Sequence, residues 1–294
     1  MLIRKHIHEE AKRLGFVACG VTRVHEVAEE AMEKFDAWLA DGCAGGMDYM
    51  HNYREIRRDP TLLLTGAKTI VSLAMGYTPR EEVRGLAHYA HGRDYHDVVR
   101  KRAQALAEAF ATEYRVCVDT APILERYWAQ EAGVGWIGRS RQLIVPRAGS
   151  ECFLCEILFT DEVDETDKPV PARCGSCRKC IEICPTGALG CDGRLDARRC
   201  NSYLTIEHRG AWTEHRPTVG CLYGCDECQR VCPWQRFAKA TEEADLQASR
   251  ELLAMTEQDW QSLTREQFND LFRHSAVKRT KYEGLMRNIE AQKE

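Results

Sequence analysis

The eleven residues from Cys174 to Cys184 constrain this chain more than any other segment. They run Cys174-Gly-Ser-Cys177-Arg-Lys-Cys180-Ile-Glu-Ile-Cys184 and are followed by Pro185, a spacing typical of bacterial four-iron cluster ligands. The short gaps place three thiolates around one corner of a cube, and the three-residue gap directs the fourth thiolate toward a second cluster. A zinc site normally needs only two such pairs and leaves the proline unexplained. The run therefore predicts four-iron chemistry rather than zinc or free thiols.

A second cysteine motif repeats the last part of this spacing further along the chain. It consists of Cys225, Cys228, Cys232 and Pro233. Leu222 stands in the place of the first cysteine, so a second cluster must recruit its remaining ligand from elsewhere. The candidates are Cys191, Cys200 and Cys221. We choose Cys200, because it lies outside both motifs at a distance that a loop can span, and the other two remain open.

Applying the crossover to both motifs predicts eight ligands in two groups of four. The first cluster takes Cys174, Cys177, Cys180 and Cys232. The second cluster takes Cys184, Cys200, Cys225 and Cys228. Two such clusters conduct electrons but do not by themselves catalyse a reaction, so the electrons are expected to reach something bound against the rest of the chain.

Cysteine is also the exceptional residue in the composition. The 294 residues include fifteen cysteines, and reduced cytosolic thiols make disulfides a poor explanation. Four of the remaining cysteines lie in apolar strand contexts and are expected in the core: Cys19, Cys117, Cys152 and Cys155. Cys43 has no assignment, and the pair Cys152 and Cys155 lacks the partner pair of a zinc site.

The charge and hydropathy patterns exclude several functional classes. The net charge is −4, which gives no global attraction for nucleic acid, although local patches remain open. No apolar run approaches the roughly 20 residues of a membrane helix, and the charged first residues do not resemble a signal peptide. We therefore expect a cytoplasmic protein that does not contact a membrane.

Before the cysteine motifs, apolar runs alternate with segments of helical spacing. Strands are predicted at 16–23, 69–77, 114–119, 142–146 and 152–160, with the last two paired to each other. Helices are predicted at 3–14, 27–40, 94–111 and 122–132. This alternation predicts an α/β fold. The predicted domains are an α/β domain over 1–165, a ferredoxin-like module with two [4Fe-4S] clusters over 166–240, and a short helical segment over 241–294, with a polar linker at 161–173.

Five longer segments resemble the epoxyqueuosine reductases and together cover most of the chain. They are YAHGRDYHDVVRKR (89–102), VDTAPILERYWAQEAGVGWIGRSRQLIV (118–145), the block that begins at Cys174, DARRCNSYLTIE (196–207) and YGCDECQRVCPW (223–234). The combination is specific, whereas the cysteine motif alone is shared by many families. The chain resembles a short form without the C-terminal helical-repeat domain with which longer members help to hold tRNA. Tyr127, where many members have proline, and Cys152 and Cys155 depart from the family pattern.

The resemblance implies a function, cofactors and partners. Members reduce the epoxide of epoxyqueuosine at the tRNA wobble position to queuosine. They use two [4Fe-4S] clusters and cobalamin, with cob(II)alamin as the resting state, and an external low-potential electron donor. The implied N-terminal domain binds cobalamin against the cluster module and is similar in fold to corrinoid reductive dehalogenases. The family's crossed ligation agrees with the choice of Cys200, and a monomer is expected.

Removing an epoxide oxygen requires protons, and the resemblance makes Asp119 the general acid. The family's proton donor lies in the same V-D-[ST]-A-P context. From the residue pattern alone, Asp119 would equally well cap the helix that follows. A dry pocket would raise the pKa of its carboxyl group and let it hold a proton. Glu125 and Arg126 are expected to form a salt bridge or to position substrate.

The usual cobalamin pattern D-x-H-x-x-G is absent. The segment from Asp94 to His96 comes nearest but lacks the glycine, so no histidine ligand to cobalt is predicted and His96 is expected to be a structural or surface residue. The glycine-rich loop 133–138 is expected to line the cofactor. Besides Asp119, the resemblance places these residues at the corrinoid: Arg57, Leu143, Leu154 and Ser202.

A tRNA partner needs positive charge, and cations crowd the second motif and the last helices. The residues expected to contact tRNA are Arg209, Lys278, Arg279 and Lys281. Tyr203 and Trp212 are candidates for stacking on a base, whereas Trp136 is expected in the core. The alternatives are a corrinoid reductive dehalogenase, whose usual twin-arginine signal is missing here, and a ferredoxin-type electron carrier without catalysis.

Overall fold

The computed structural model describes residues 1–212, 214–218 and 220–292. Its strands are β1 (Ala18–Arg23), β2 (Thr69–Gly76), β3 (Tyr114–Cys117), β4 (Trp136–Ile137), β5 (Leu143–Ile144) and β6 (Cys152–Phe159). Its α-helices are α1 (Arg4–Arg13), α2 (Glu29–Ala40), α3 (Arg54–Arg58), α4 (Tyr95–Ala107), α5 (Glu125–Glu131), α6 (Lys179–Glu182), α7 (Asn201–Ile206), α8 (Glu227–Arg230), α9 (Arg250–Leu253), α10 (Glu257–Gln261), α11 (Arg265–Phe272) and α12 (Lys281–Glu290). Among these helices, none is long and apolar enough to cross a membrane.

The N-terminal domain is built on a sheet with the strand order β1-β2-β6-β3. The four long predicted strands are confirmed. The predicted pairing of 142–146 with 152–160 is wrong, because both edges of β6 are occupied by β2 and β3, and β5 pairs with β4 instead. Neighbouring strands are antiparallel throughout. The alternating pattern thus predicted the mixture of helices and strands correctly, but the sheet is not the parallel one that such a pattern usually indicates.

Both faces of this sheet are covered, as the alternation of side chains along β6 shows. Phe153, Cys155 and Ile157 belong to the apolar cluster that includes residues of α1 and α4. Leu154 and Leu158 point to the other face, where residues of α2 and α5 pack. Each large side chain that is fully buried in these layers stabilises the fold by about 1.5–3 kcal/mol. The sheet therefore offers a rigid base for the loops at its edges.

The four cysteines expected in the core lie there. Cys117 and Cys155 are almost completely buried, and Cys19 and Cys152 pack against the apolar clusters of the sheet. Burial raises the pKa of Cys117 and of Cys152 to about 12. These thiols are therefore protonated side chains of the core at neutral pH.

The predicted linker is fastened to the N-terminal domain over its first part. Val163 forms a parallel bridge with Leu2. The carboxylate of Asp167 accepts a hydrogen bond from Arg4 at 2.7 Å and from the backbone N–H of Val21 at 2.9 Å. The chain therefore leaves the N-terminal domain only after Asp167.

The last helices pack against the cluster module and the N-terminal domain. An apolar cluster joins residues of α10, α11 and α12 to Leu86 and to Tyr223. Asn288 is completely buried, and its side-chain amide donates to the carbonyl groups of Thr205 and Leu222 at 2.8 and 2.9 Å. The helical segment thus fixes the second cysteine motif from behind.

Candidate active site and cluster-binding module

The two cysteine motifs fold in the same way. Helix α6 begins between Cys177 and Cys180, and helix α8 begins between Cys225 and Cys228. The two short helices lie against each other. The weak repeat between the motifs thus appears in the structure as two equivalent turns that face one another.

The thiols of the first group lie near one another. Cys180 interacts electrostatically with Cys174 and Cys232, and Cys232 interacts in turn with Cys177. Burial raises the pKa of Cys180 and of Cys232. An electropositive iron cluster would offset this effect, because it binds the thiolate form. Among the described residues, no three His, Cys, Asp or Glu side chains converge on a site for a single metal ion.

The second group surrounds Cys228, which interacts with Cys200, Cys225 and Cys184. Cys228 also interacts with Cys180 of the first group, so the two groups adjoin. This proximity is compatible with electron transfer between two clusters.

The other candidates for the eighth ligand lie differently. Cys191 is exposed, and its sulfur accepts a hydrogen bond from Arg178 at 2.8 Å. Cys221 is hydrogen-bonded with Cys225 and accepts from the side-chain amide of Asn201 at 3.4 Å. Cys200 interacts with both Cys225 and Cys184. This geometry supports Cys200, and its ligation remains a prediction.

Asp119 lies in the loop between β3 and α5. Its φ of 51° is in the left-handed region that few residues other than glycine adopt. The hydroxyl group of Tyr95 donates to Oδ2 of Asp119 at 3.0 Å, and Nε2 of His96 lies 3.0 Å from the same oxygen. The N-cap of α5 is Leu124, so the capping role that the residue pattern allowed for Asp119 is wrong.

Tyr95 and His96 reach Asp119 because they form the first turn of α4. Asp94 caps this helix by accepting from the backbone N–H of His96 at 3.2 Å. Its carboxylate also lies 2.6 Å from Nδ1 of His96. The histidine is therefore held between two carboxylates. The sequence reasoning missed this role of His96, and its only signal was the position of His96 two residues after a helix-capping aspartate.

The charges of this group determine where its proton lies. Burial disfavours the imidazolium of His96, but Asp119 and Asp94 outweigh burial and raise the pKa of His96 to about 9. For Asp119, burial raises the pKa of the carboxyl group, but His96 and Tyr95 outweigh it and the net pKa is lowered. The raised pKa that a dry pocket would produce is therefore not found. The Asp119 side chain is 56% exposed, and the imidazolium of His96 lies beside its carboxylate. At neutral pH the proton of the pair therefore resides on His96.

Glu125 supports the loop that carries Asp119. The backbone N–H of Asp119 donates to Oε1 of Glu125 at 2.5 Å. Burial and the charge of Asp119 raise the pKa of Glu125 to about 8. Arg126 donates instead to the carbonyl group of Arg141 at 2.5 Å. Glu125 is thus a second proton-bearing group that lies directly behind Asp119.

Tyr49, Arg57 and Arg279 lie around Asp119. Tyr49 interacts electrostatically with Asp119 and Arg57, and the guanidinium of Arg279 lies 5.6 Å from the centre of its ring. Arg57 is 8% exposed, and its Nε has no hydrogen-bond partner among the described residues. Leaving a buried polar group unpaired is costly. Arg57 therefore fits a site for a polar or anionic part of a bound cofactor.

The other residues predicted at the corrinoid are Ser202, Leu143 and Leu154. Ser202 is half-buried on α7, two residues after Cys200. Leu154 is half-buried on β6 and shares an apolar cluster with Leu143, which is 4% exposed. Leu143 thus belongs to the core. These contacts remain predictions.

The cations predicted to contact tRNA gather at the turn 276–280. Arg279 pairs with Glu207 at 2.9 Å and Lys278 pairs with Asp94 at 3.0 Å. Arg209 donates to the carbonyl group of Arg279 at 3.0 Å. Lys281 is exposed, with a φ of 62°. The structure thus brings all four together near Asp119, with two of them already paired to carboxylates.

The three aromatic candidates lie in different places, and stacking of Tyr203 or Trp212 on a base remains a prediction. Trp136 is buried, which confirms its assignment to the core. Trp212 stacks on His208 with ring centres 5.1 Å apart. Tyr203 lines a cavity of about 580 Å³ together with Arg198 and His208. Asp119 does not line this cavity, so the cavity is separate from the proton-bearing group.

Comparisons with known proteins give the family. Residues 57–120 match the family model "Epoxyqueuosine reductase QueG, DUF1730" and residues 173–235 match "4Fe-4S double cluster binding domain". An epoxyqueuosine reductase of Cellulophaga algicola is 38% identical over 296 residues, which cover 97% of this chain and 96% of the relative. An epoxyqueuosine reductase of Escherichia coli K12 is 36% identical over 304 residues, which cover 98% and 79%.

Solved structures agree with these relatives. Epoxyqueuosine reductase in complex with an epoxyqueuosine-modified tRNA-Tyr stem loop has a TM-score of 0.90 and 28% identity, over 98% of this chain and 80% of that one. The enzyme from Bacillus subtilis, in a state with its catalytic aspartate loop swung out of the active site, has a TM-score of 0.87 and 27% identity over the same shares. The chain is therefore an oxidoreductase that carries a double-cluster 4Fe-4S domain and belongs to the epoxyqueuosine reductase family.

Proposed function

We propose that this protein reduces the epoxide of epoxyqueuosine at the wobble position of tRNA to queuosine in the cytoplasm. One observation carries the proposal. A proton-bearing pair, Asp119 and His96, occurs in a chain that also carries the two cysteine motifs and that matches epoxyqueuosine reductases over nearly its whole length. A domain that only carried electrons would have no use for such a pair.

The cofactors are two [4Fe-4S] clusters and cobalamin. The first cluster would be held by Cys174, Cys177, Cys180 and Cys232. The second cluster would be held by Cys184, Cys200, Cys225 and Cys228. Arg57 and Ser202 would contact the corrinoid, and the orphaned Nε of Arg57 supports this fit. When bound, cobalamin supplies a strongly reducing, nucleophilic metal.

The residues around Asp119 supply the protons. Removal of an epoxide oxygen as water consumes two electrons and two protons, and an external low-potential donor supplies the electrons. His96 holds one proton at neutral pH and passes it through Oδ2 of Asp119, 3.0 Å away. Glu125, whose pKa is raised to about 8, holds a second proton behind the same loop. The swung-out aspartate loop of the Bacillus subtilis enzyme supports a catalytic role for an aspartate in a loop.

The tRNA is held near Asp119. Arg209, Lys278, Arg279 and Lys281 surround the turn 276–280, and cations at such positions neutralise phosphates. Lys278 and Arg279 must give up their carboxylate partners to bind phosphates, which costs free energy. We therefore expect Lys281 to contribute most to tRNA affinity among the four.

The proposal is tested with anaerobically reconstituted protein. We expect about eight iron atoms per chain, a spectral shift on addition of cobalamin, and conversion of epoxyqueuosine in a tRNA-Tyr stem loop. Far fewer than eight iron atoms, or zinc in place of iron, would refute the cluster assignment. Turnover of aryl halides but not of the stem loop would refute the substrate.

The variant Asp119→Asn is the matched test of the proton path. It keeps the side-chain shape, so iron content and cobalamin binding should match the wild type. Turnover should fall by about 10²–10⁴, the usual contribution of general acid catalysis. Wild-type turnover by the variant would remove Asp119 from the mechanism.

A further inference from the structure

We propose that the exposed cations around the first cysteine group form the docking surface for a small acidic electron-transfer protein. This inference rests on the proposed function, which requires an external electron donor. The cationic patch consists of Arg139, Arg173, Arg178, Lys179, Arg236 and Lys239, all of which are exposed.

The patch is anchored around the first thiol group. Arg139 donates to the carbonyl group of Gly175 at 2.8 Å, which places it beside the loop between Cys174 and Cys177. Arg178 and Lys179 stand between Cys177 and Cys180 in the chain. Arg236 and Lys239 follow Cys232, the fourth thiol of that group. Electrons that enter here would therefore reach the first cluster directly.

The charge balance of the patch differs from that of the whole chain. The segments 173–184 and 232–240 carry five Lys or Arg residues and one carboxylate, Glu182, whereas the net charge of the protein is −4. None of the six cations of the patch forms an ion pair with a carboxylate in the described part of the chain. Near Asp119, in contrast, two of the cations are paired, Arg279 with Glu207 and Lys278 with Asp94. Unpaired cations attract a partner of opposite charge at long range.

Two exposed apolar side chains lie among these cations. Ile183 is 43% exposed and Phe237 is 37% exposed. The ring of Phe237 packs 5.7 Å from the ring of Trp234, and the guanidinium of Arg236 lies 4.6 Å from its centre. Exposed apolar side chains together with charged ones are typical of a protein interface. A transient electron-transfer encounter needs only a small one, of less than about 1,200 Å².

These observations favour an acidic protein over RNA. The RNA substrate must reach Asp119, and the side chains around Asp119 include Tyr49, Arg57 and Arg279 rather than members of the patch. The thiols beside the patch are partly accessible, as an entry point for electrons must be. A surface that only bound phosphates would not need the exposed apolar side chains of Ile183 and Phe237.

The test measures reduction of the oxidised clusters by reduced flavodoxin, an acidic carrier, in an anaerobic stopped-flow instrument. In the variant Arg178→Glu/Lys179→Glu, the second-order rate at low salt should fall by about tenfold or more, as expected when electrostatic steering is reversed. High salt should slow the wild type and remove the difference. Reduction by dithionite should be unchanged.

Two further variants keep the test decisive. Lys12→Glu/Lys101→Glu makes the same change of charge on exposed lysines of α1 and α4 and should leave the rate within about twofold. If Arg178→Glu/Lys179→Glu loses iron, Arg236→Glu/Lys239→Glu replaces it outside the first motif.

Three results would overturn the docking surface. They are equal slowing in the Lys12/Lys101 control, wild-type rates in both patch variants, or loss of tRNA stem-loop affinity with unchanged reduction by flavodoxin, which would assign the patch to RNA. Failure of the proposed function appears differently. In that case dithionite and flavodoxin both reduce the clusters, the patch variants respond as expected, and the stem loop is not converted.

Discussion

The proton shared by His96 and Asp119 should appear as an alkaline limit of catalysis that one substitution can move. The pKa of His96 is raised from its ordinary value of 6.5 to about 9. Such a group stabilises the folded site below pH 6.5, and this contribution is lost as the pH rises through about 9. Turnover that needs this proton should therefore fall on the alkaline side, near pH 9. We choose Asp94→Asn as the perturbation, because Asp94 contacts His96 and not Oδ2 of Asp119.

The magnitude follows from the geometry around the ring. The rise in the pKa of His96 corresponds to roughly 3 kcal/mol before solvent screening. Asp119 is 56% exposed and therefore screened, whereas Asp94 is 11% exposed and lies 2.6 Å from the ring. We assign about 1.4 kcal/mol to Asp94, which should move the limit by about one pH unit toward neutrality. Lys278, which pairs with Asp94 at 3.0 Å, becomes an unpaired charge in the variant and acts in the same direction.

The assay is a single turnover of pre-reduced enzyme on the modified stem loop from pH 6 to pH 10, with the nucleosides quantified after quenching. Single turnovers keep electron delivery from hiding the proton step. Asp97→Asn is the matched control, because Asp97 is an exposed carboxylate on the same turn of α4. An alkaline limit that stays near pH 9 in Asp94→Asn, or moves equally in Asp97→Asn, would refute this assignment of the proton.

Three further predictions concern the clusters, the cofactor and the contact between the parts of the chain. Cys200→Ser should lose about half of the iron while Cys191→Ser keeps all of it, as measured by iron analysis and by absorbance. Loss of iron from Cys191→Ser but not from Cys200→Ser would make Cys191 the ligand instead. Arg57→Met should weaken cobalamin binding by about tenfold in a spectral titration at unchanged iron content, because it removes the guanidinium whose buried Nε has no hydrogen-bond partner among the described residues. Glu151→Gln replaces a carboxylate that is 1% exposed and lies 2.9 Å from Nδ1 of His88. It should lower the free energy of unfolding by about 2 kcal/mol, measured as a lower urea concentration at the unfolding midpoint; an unchanged midpoint would contradict this.

The last of these predictions depends on a contact that joins the two modules. His88 lies between Glu151 of the sheet domain and Arg230, whose guanidinium is 2.8 Å from Nε2 of His88. The backbone N–H of His88 donates to the carboxylate of Asp226 at 2.8 Å. Because Asp226 and Arg230 belong to the second cysteine motif, this buried network fixes the position of that motif relative to the sheet. Thr112→Ala, which removes the side-chain contact of Thr112 with Thr160 at the opposite end of β6, is a suitable control.

Local spacing was enough to predict the elements that depend on near neighbours. Four long strands, the first helices and the core position of Trp136 follow from apolar periodicity. The pairing of 142–146 with 152–160 failed, because the partner of a strand is decided by which edges are free, and both edges of β6 are occupied. Periodicity does not contain that information.

The candidate site shows the same division. Asp119 was predicted from a resemblance, but the pKa of its carboxyl group depends on His96, which is 23 residues away in the chain. The sequence reasoning expected a surface or structural histidine there, since no local pattern connects the start of α4 with the loop after β3. Arg57 was predicted as a cofactor contact, and only packing showed that its Nε is buried without a partner.

What the sequence alone determined is the chemistry of sulfur: the number and spacing of cysteines in two short motifs predict iron clusters, because the ligands of each motif are brought together by a single turn of chain. What only the tertiary structure decided is where the proton lies. Asp94 and His96 belong to the start of α4, Asp119 and Glu125 belong to the segment after β3, and the charge states depend on the 3.0 Å contact between His96 and Asp119 that folding alone creates. Electrostatic interactions at such distances are strong enough to outweigh burial.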